Sequence, residues 1–495
     1  MKKLFTVITV AAIGFASCNQ PLQQKEVQSQ NDSANNSSID TRLGKIDIES
    51  GYPSAASIDK LTDELDYQRA CQAYIWGLPM VGLNEWMKAH ENIFKVRNGQ
   101  LVSFQSFEEK LGIMTPNFGT PYIVALANLE KSGPLVFEVP KGLIAGMVLD
   151  AWQRSLTDVG AVGPEKGQGG KFLIVGPGQE VPKANGYIVV KSSTNLVFYG
   201  VRLLDADREK AYRELAPLLR TYSWNERANP PKEQVVPAGN AKWSQTPPTG
   251  MAYLESLAQA LNNEPVQERD RFFMAMLKPL GIEKGKPFNP DARQKKILTD
   301  AAQMGELMAK ANTYTKRFED AYWPGTHWKD ALAVNTTQRE PGFEQLDERA
   351  SYFYEAMAIS EAMRSTTSGF GQRYMGVYQD KDGDWLTGGN NYRLHVSANP
   401  PVTQFWSLTV YDEKNRQMLV NETKNPDVSS RNPEIVKNAD GSVDVYVGPT
   451  APKGFEKNWV QTKAAEGWFV LFRFYGPTEK IFDKSWTLPD FEKLK

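Results

Sequence analysis

Residues that could do chemistry gather in two places along this chain. The first is the glycine-rich stretch 149–178, LDAWQRSLTDVGAVGPEKGQGGKFLIVGPG, which sets Trp152, Asp158, Glu165 and Lys171 among five glycines from Gly160 to Gly170. Glycines at this density let the backbone turn tightly or approach a ligand closely. The second is Arg473, placed between Phe472, Phe474 and Tyr475. A guanidinium among aromatics can pair a buried carboxylate, stack on a ring or grip an acidic ligand. In a ligand site Asp158 would be the general acid or base, Arg473 the charge-pairing group and Trp152 an apolar wall.

Spacing excludes the familiar alternatives. A P-loop fails because Glu165 stands where its first glycine belongs and Phe172 replaces the hydroxyl residue after Gly170 and Lys171. The dinucleotide fingerprint fails because 172–175, Phe-Leu-Ile-Val, reads as a strand where a helix should follow. His90-Glu91 opens a zinc-helix pattern that Phe94 breaks, and the three histidines, His90, His327 and His395, lie far apart in sequence. The acidic run 380–384 resembles a calcium loop, but Trp385 occupies the position that needs glycine, so a hairpin turn is expected. No nucleophile elbow G-x-S-x-G occurs. Neither a metal nor a cofactor is expected.

The elements that must position these residues follow from periodicity. Leu61, Leu65, Ala70, Tyr74 and Leu78 recur at helical spacing from Ser57, with Gly77 and Pro79 expected to bend or break the helix. Strands are read at 124–129, 135–139, 147–152, 171–175, 187–191 and 196–203, leaving 152–171 as a long shaped loop. Helices are read at 205–222, 251–261, 269–280, 291–317 and 348–365, and Met274, Met276, Met304 and Met308 would line a groove or pack a core. Strands return after Gly376, notably 403–411 and 468–475.

Composition bounds the class. Length 495 and 41% apolar residues suffice for two or three domains with real cores. Lys plus Arg number 57 against 58 for Asp plus Glu, so no field gathers nucleic acid or an anionic bilayer. Lys2 and Lys3, an apolar run 4–15 and Cys18 predict a lipoprotein signal peptide over 1–17 with lipidation at Cys18. Cys71 would then be the only thiol left, with no intramolecular disulfide to form. Gln, Asn and Ser dominate the segment that follows, and 18–56 is expected to be a disordered tether. Asn19 after the cysteine places the protein at the outer membrane of a diderm envelope, held only by its lipid.

The runs DAWQR at 150–154, DVGAVGP at 158–164 and KGQGGKFLIVGPG at 166–178 resemble the first module of the paired DUF1254/DUF1214 bacterial proteins. FWSLTVYD at 405–412, DGSV at 440–443, Asn458-Trp459 and FRFYGP at 472–477 resemble the second. That family is named for its lack of an assigned function, so the resemblance implies an architecture and no reaction. The segment TPNFGTPY at 115–122 resembles the family's P-N-x-D-T-x-Y, with Gly119 in place of the acidic residue and Asn117 and Tyr122 left as polar contacts.

The fold class expected is α+β: a DUF1254-like helix-then-sandwich module over 57–225, a helical region over 226–375 and a DUF1214-like sandwich over 376–495, both sandwiches antiparallel and jelly-roll-like. The ligand pocket is expected where the 152–171 loop meets the helices or the second module, built from Asn117, Tyr122, Trp152, Asp158 and Arg473. Three functions stay open: a metal-independent hydrolase or lyase acting on a small organic or glycan substrate, a non-catalytic lipoprotein binding such a ligand, and an envelope assembly protein. A homo-oligomer is also left open.

Overall fold

The computed structural model describes residues 36–495 apart from 233 and 465, so Cys18 and the expected signal segment 1–17 lie outside the described residues. The chain divides into two compact units, one ending at Thr62 and the other running from Asp63 to Lys495. In the first, Ser37–Thr41, Gly44–Glu49 and Tyr52–Pro53 form an antiparallel three-stranded sheet. The expected tether therefore does not extend over these residues. Gly44 at φ 83° and Gly51 at φ 87° close the two turns, conformations that glycine adopts without strain. The Ser57 hydroxyl accepts from the Asp47 N–H at 2.8 Å and ties the sheet to the start of the helix Ala55–Asn92.

Two pairs of sheets dominate the second unit. The six-stranded sheet is ordered Val235–Pro237, Leu101–Phe104, Tyr122–Asn128, Leu196–Leu203, Ile144–Asp150, Ser155–Gly160. It stacks on a four-stranded sheet, Ile188–Lys191, Gly170–Val175, Leu135–Val139, Arg220–Ser223. Ile123, Val197 and Tyr199 of one sheet and Phe137, Phe172 and Ile174 of the other share a single core. The second pair joins a five-stranded sheet, centred on Val402–Asp412 and Trp468–Pro477, to a four-stranded sheet around Tyr392–Val396 and Val443–Gly448. Its core takes Trp406, Phe472 and Phe474 from one side and Leu394 and Val445 from the other. Among the described residues pairing is antiparallel except in three pairs, one of them Ile188–Lys191 with Gly170–Val175. The fold is α+β, as the mixture of helical and strand periodicities implies.

A third core lies between the sandwiches. The outer face of the six-stranded sheet, with Phe104, Val124 and Phe198, and the outer face of the five-stranded sheet, with Tyr374, Tyr411 and Leu471, join the helices there. Those helices are the latter part of Ala55–Asn92 together with Met251–Asn263, Ala292–Thr315 and Leu346–Glu355.

Several boundaries differ from the periodicity reading. Ala55–Asn92 runs unbroken through Pro79. Ser155–Gly160 is a strand inside the segment read as a loop. The helix expected over 205–222 is Arg208–Leu215 followed by the strand Arg220–Ser223, because Pro217 cannot donate to continue it. The helix expected over 348–365 is Leu346–Glu355 and a separate short turn at Glu361–Arg364.

Candidate functional site

Strand alternation delivers two arginines to one interior space. In Leu196–Leu203, Val197, Tyr199 and Val201 enter the first sandwich core, which turns Phe198, Gly200 and Arg202 to the other face. In Trp468–Pro477, Phe472 and Phe474 enter the second sandwich core, which turns Leu471 and Arg473 outward. Arg473 is thus not clamped between Phe472 and Phe474, as adjacency in sequence suggests, but lies on the opposite side of its strand from both.

Between the two faces is a cavity with about 780 Å³ of empty space, part of it open to solvent. Trp86, Phe198 and four methionines, Met114, Met147, Met357 and Met363, form much of its apolar wall. The methionines singled out in the sequence, Met274, Met276, Met304 and Met308, do not line it. Close strand approach shapes one side: a Cβ on Gly146 would fall 2.0 Å from the Gly200 carbonyl oxygen, so only glycine fits there.

The polar groups form one connected cluster. Arg473 is 2% exposed. It donates through Nη1 to Thr409 Oγ1 at 3.0 Å, and through Nη2 to the Tyr411 hydroxyl at 2.6 Å and the Thr115 carbonyl at 3.1 Å. Its Nε is buried without a partner. Arg202 is half-buried and donates to Gln372 Oε1 at 3.2 Å, an oxygen that also accepts from the Tyr374 hydroxyl. Tyr374 bridges the two cations, since the Arg473 guanidinium lies 5.3 Å from its ring centroid. The Asn117 N–H donates to the Tyr122 hydroxyl at 2.7 Å, and its side-chain amide donates to the Tyr475 hydroxyl.

Among the described residues neither Arg202 nor Arg473 forms an ion pair with a carboxylate. Asp427 comes nearest, at one remove, accepting from Thr409 Oγ1 at 2.5 Å. Burial pushes its carboxyl up to about 6, against the pull of Thr409 and Arg473. Burial would depress both guanidiniums, yet the surrounding phenol oxygens, Tyr374, Tyr122 and Tyr475 at Arg202 and Tyr411, Tyr475 and Tyr374 at Arg473, hold them above the ordinary arginine range. Burial raises the Tyr122 and Tyr352 hydroxyls as well, so both are neutral donors at physiological pH.

An outer chamber, with about 760 Å³ of empty space, shares Ala145, Gly146, Met147 and Arg202 with the cavity. Gln372, Tyr475 and the exposed Phe370 complete this side of the wall. Arg202 therefore stands at the boundary between an interior space and one that reaches surface residues.

Of the residues singled out in the sequence, Asn117, Tyr122 and Arg473 meet in the cavity, whereas Trp152 and Asp158 do not line it. Trp152 is 3% exposed and packs between Trp76, with ring centroids 4.6 Å apart, and the Arg349 guanidinium, 5.1 Å above its ring. Its place at a strand end beside the first helix makes it core. Asp158 sits on the edge strand Ser155–Gly160 opposite Met147. It accepts from the Ser360 hydroxyl and the Ala362 N–H, and burial pushes it up to about 6. Its partners Ser360 and Ala362 line the outer chamber, but Asp158 itself lines neither space. Arg202, Tyr352 and Tyr374 were not singled out in the sequence. The signal for Arg202 was present: it occupies the same face as Leu196, Phe198 and Gly200 in an otherwise apolar strand. Tyr352 and Tyr374 carry no such mark among 19 tyrosines.

Among the described residues no group of three or more His, Cys, Asp and Glu side chains is placed to hold a metal ion. His90 is buried with Nδ1 3.0 Å from the Trp86 carbonyl, while His327 and His395 pair with Asp490 and Asp444.

Two sandwiches with helices between them define an α+β protein of two β-rich modules. Residues 100–222 match the model of DUF1254 and residues 371–479 that of DUF1214, each described as a protein of unknown function. The VPA0106 protein of Vibrio parahaemolyticus shares the fold at 17% identity and TM-score 0.54, covering 87% of this chain and all of that one. An uncharacterised protein of Burkholderia cenocepacia aligns at 12% identity and TM-score 0.42 over 87% of this chain and 94% of its own. No curated protein matches the chain.

Proposed function

We propose that this protein is a membrane-anchored envelope lipoprotein that holds a small organic ligand in the interior cavity without transforming it. The observation that carries the reading is the lining itself: an apolar enclosure with a few convergent polar groups, the form that small-molecule sites take. Binding is favoured over hydrolase or lyase chemistry because, among the described residues, no carboxylate, imidazole, thiol or amine lines the cavity. A general acid or base must reach the proton it moves, and Asp158, the candidate for that role, lines neither chamber. Enclosure favours a compact organic molecule over an extended glycan, which would use an open aromatic platform.

Ala356→Phe tests the reading, since Ala356 lines the cavity in extended backbone just past Leu346–Glu355. The neutral fluorophore N-phenylnaphthylamine should bind the native protein and lose at least tenfold in affinity with the variant. Equal binding by both, with the fold intact by circular dichroism, would reject the cavity as the site.

The anchoring half of the proposal rests on Lys2, Lys3, the apolar run 4–15 and Cys18. Mass spectrometry of the native N-terminus should find residues 1–17 removed and acyl chains on Cys18. An unmodified Met1 would reject it.

A further inference from the structure

We infer that the cavity is built for an organic carboxylate, an anionic head seated between Arg202 and Arg473 with an apolar body against the methionine-rich wall. This deepens the ligand-binding reading and rests on it.

The other buried or half-buried arginines lie outside the cavity, among them Arg349, 3% exposed, which donates to the Trp76 carbonyl and stacks on Trp152. Arg416, 3% exposed, donates to the Tyr354 and Lys414 carbonyls and stacks 4.2 Å from the Tyr354 ring centroid. Arg154 pairs with Asp150 at 2.6 Å and with Gln267. Arg373 pairs with Asp330 at 2.5 Å. These guanidiniums are answered by backbone, rings or carboxylates. Arg202 and Arg473, like Arg416, are answered by neutral groups, but they line the cavity and Arg154, Arg373 and Arg416 do not.

Charge makes the consequence specific. Arginine stays protonated under all relevant conditions, and removing a cation from water without an anion is costly unless something compensates. Two such cations bridged by Tyr374 leave the site short of negative charge. The nearby carboxylate, Asp427, reaches Arg473 only through Thr409, and its charge is shared with Lys110 and Arg208. The Arg473 Nε is buried with no acceptor, as are those of Arg349 and Arg373, but of the three only Arg473 lines the cavity.

A planar guanidinium offers paired N–H donors to a carboxylate or a phosphate. The apolar enclosure favours the singly charged carboxylate, the less costly of the two to take out of water, and Asn117 and the Tyr122 hydroxyl, also in the lining, add neutral polar contacts around it. The body follows from the wall. Met114, Met147, Met357 and Met363 are flexible and polarisable, so the enclosure can adapt to apolar bodies of differing shape. The outer chamber holds Arg431 and, at its boundary with the cavity, Arg202, so an incoming anion would meet cations before it reaches Arg473.

The test uses the mature full-length protein and three probes of matched chain length: decanoate, decanamide and decyl phosphate, each titrated by calorimetry and by displacement of N-phenylnaphthylamine. Decanoate should bind at least tenfold more tightly than decanamide and more tightly than decyl phosphate. Arg202→Met should bring decanoate down to the amide's level while leaving the amide within twofold, and Arg202→Lys should restore part of the difference. Retained fluorophore binding shows that each variant is folded. Equal binding of acid and amide to the native protein, or an Arg202→Met variant that still prefers the acid, overturns the inference. Preference for decyl phosphate overturns the carboxylate assignment. If the fluorophore binds and none of the three displaces it, the inference fails while the ligand-binding reading stands; if Ala356→Phe leaves fluorophore binding unchanged, the reading itself fails.

Discussion

Asp158 shows how a residue can be perturbed without being central. Its carboxyl rises from the ordinary 3.8 to about 6 because burial outweighs the hydrogen bonds from Ser360 and Ala362, with Glu361 and Glu165 adding repulsion. One of its oxygens, Oδ1, is buried without a partner. Between those two values the folded state holds the proton that the unfolded state has released, so the linkage is negative. Whatever stability the neutral acid gives is fully present below pH 4 and is lost as pH rises through 6. Asp158→Asn should therefore stabilise the protein at pH 8, by on the order of 1–2 kcal/mol once partial exposure is allowed for, and change little at pH 4. Thermal melts at the two pH values check this, and an equal effect at both would contradict it. An aspartate just ahead of a glycine-rich run reads as a catalyst in sequence because neither its strand nor its neighbour across the chain is visible there. Arg473 was legible for a different reason: a charged residue inside an apolar alternation must be answered by something.

At the scale of elements, Pro79 is the instructive case. A proline inside a helix removes one hydrogen bond and crowds the preceding turn, and the sequence therefore predicts a break. Yet Ala55–Asn92 continues, and side chains from distant segments dock on the backbone to either side of the Ile75 carbonyl, which the proline leaves without its helical donor. The Tyr253 hydroxyl donates to the Tyr74 carbonyl at 2.6 Å, Arg349 Nη2 to the Trp76 carbonyl at 2.8 Å and Gln153 Nε2 to the Pro79 carbonyl at 2.7 Å. These donors come from residues far along the chain, so no window of sequence around Pro79 reveals them. Strand placement was far more legible. Leu135–Val139 and Leu196–Leu203 fall where alternation puts them, since each element's own apolar pattern decides its two faces. Tyr253→Phe should cost about 1 kcal/mol by removing one buried hydrogen bond to the helix backbone, and more if the helix frays at the proline. Urea unfolding measures this; no loss of stability would mean that the helix bridges Pro79 unaided.

For the whole molecule, two recognisable modules suggest two independent domains, but the cores are arranged otherwise. Each sandwich has an interior of its own, while the outer faces of the six-stranded and five-stranded sheets belong to a third core with the helices. Phe104, Val124, Leu126 and Phe198 from the first module and Tyr411, Phe469 and Leu471 from the second lose water only when that layer is assembled. Their burial favours assembly by about 25 cal/mol per Å² of apolar surface. Either module alone would present a wide apolar face to water, of a size that soluble monomers rarely tolerate. The cavity has the same dependence, because Arg202 comes from one module and Arg473 from the other. The 63–495 body should consequently melt in one cooperative transition, by calorimetry and by near-ultraviolet circular dichroism alike. A fragment limited to 57–225 should keep strand content yet lose fixed aromatic packing and bind the dye anilinonaphthalene sulfonate. Two separate transitions, each reproduced by its isolated module, would mean that the middle core contributes little and that the arginines are brought together by docking rather than by folding. One transition ties the ligand site to global stability, and a bound carboxylate would then raise the melting point of both sandwiches together.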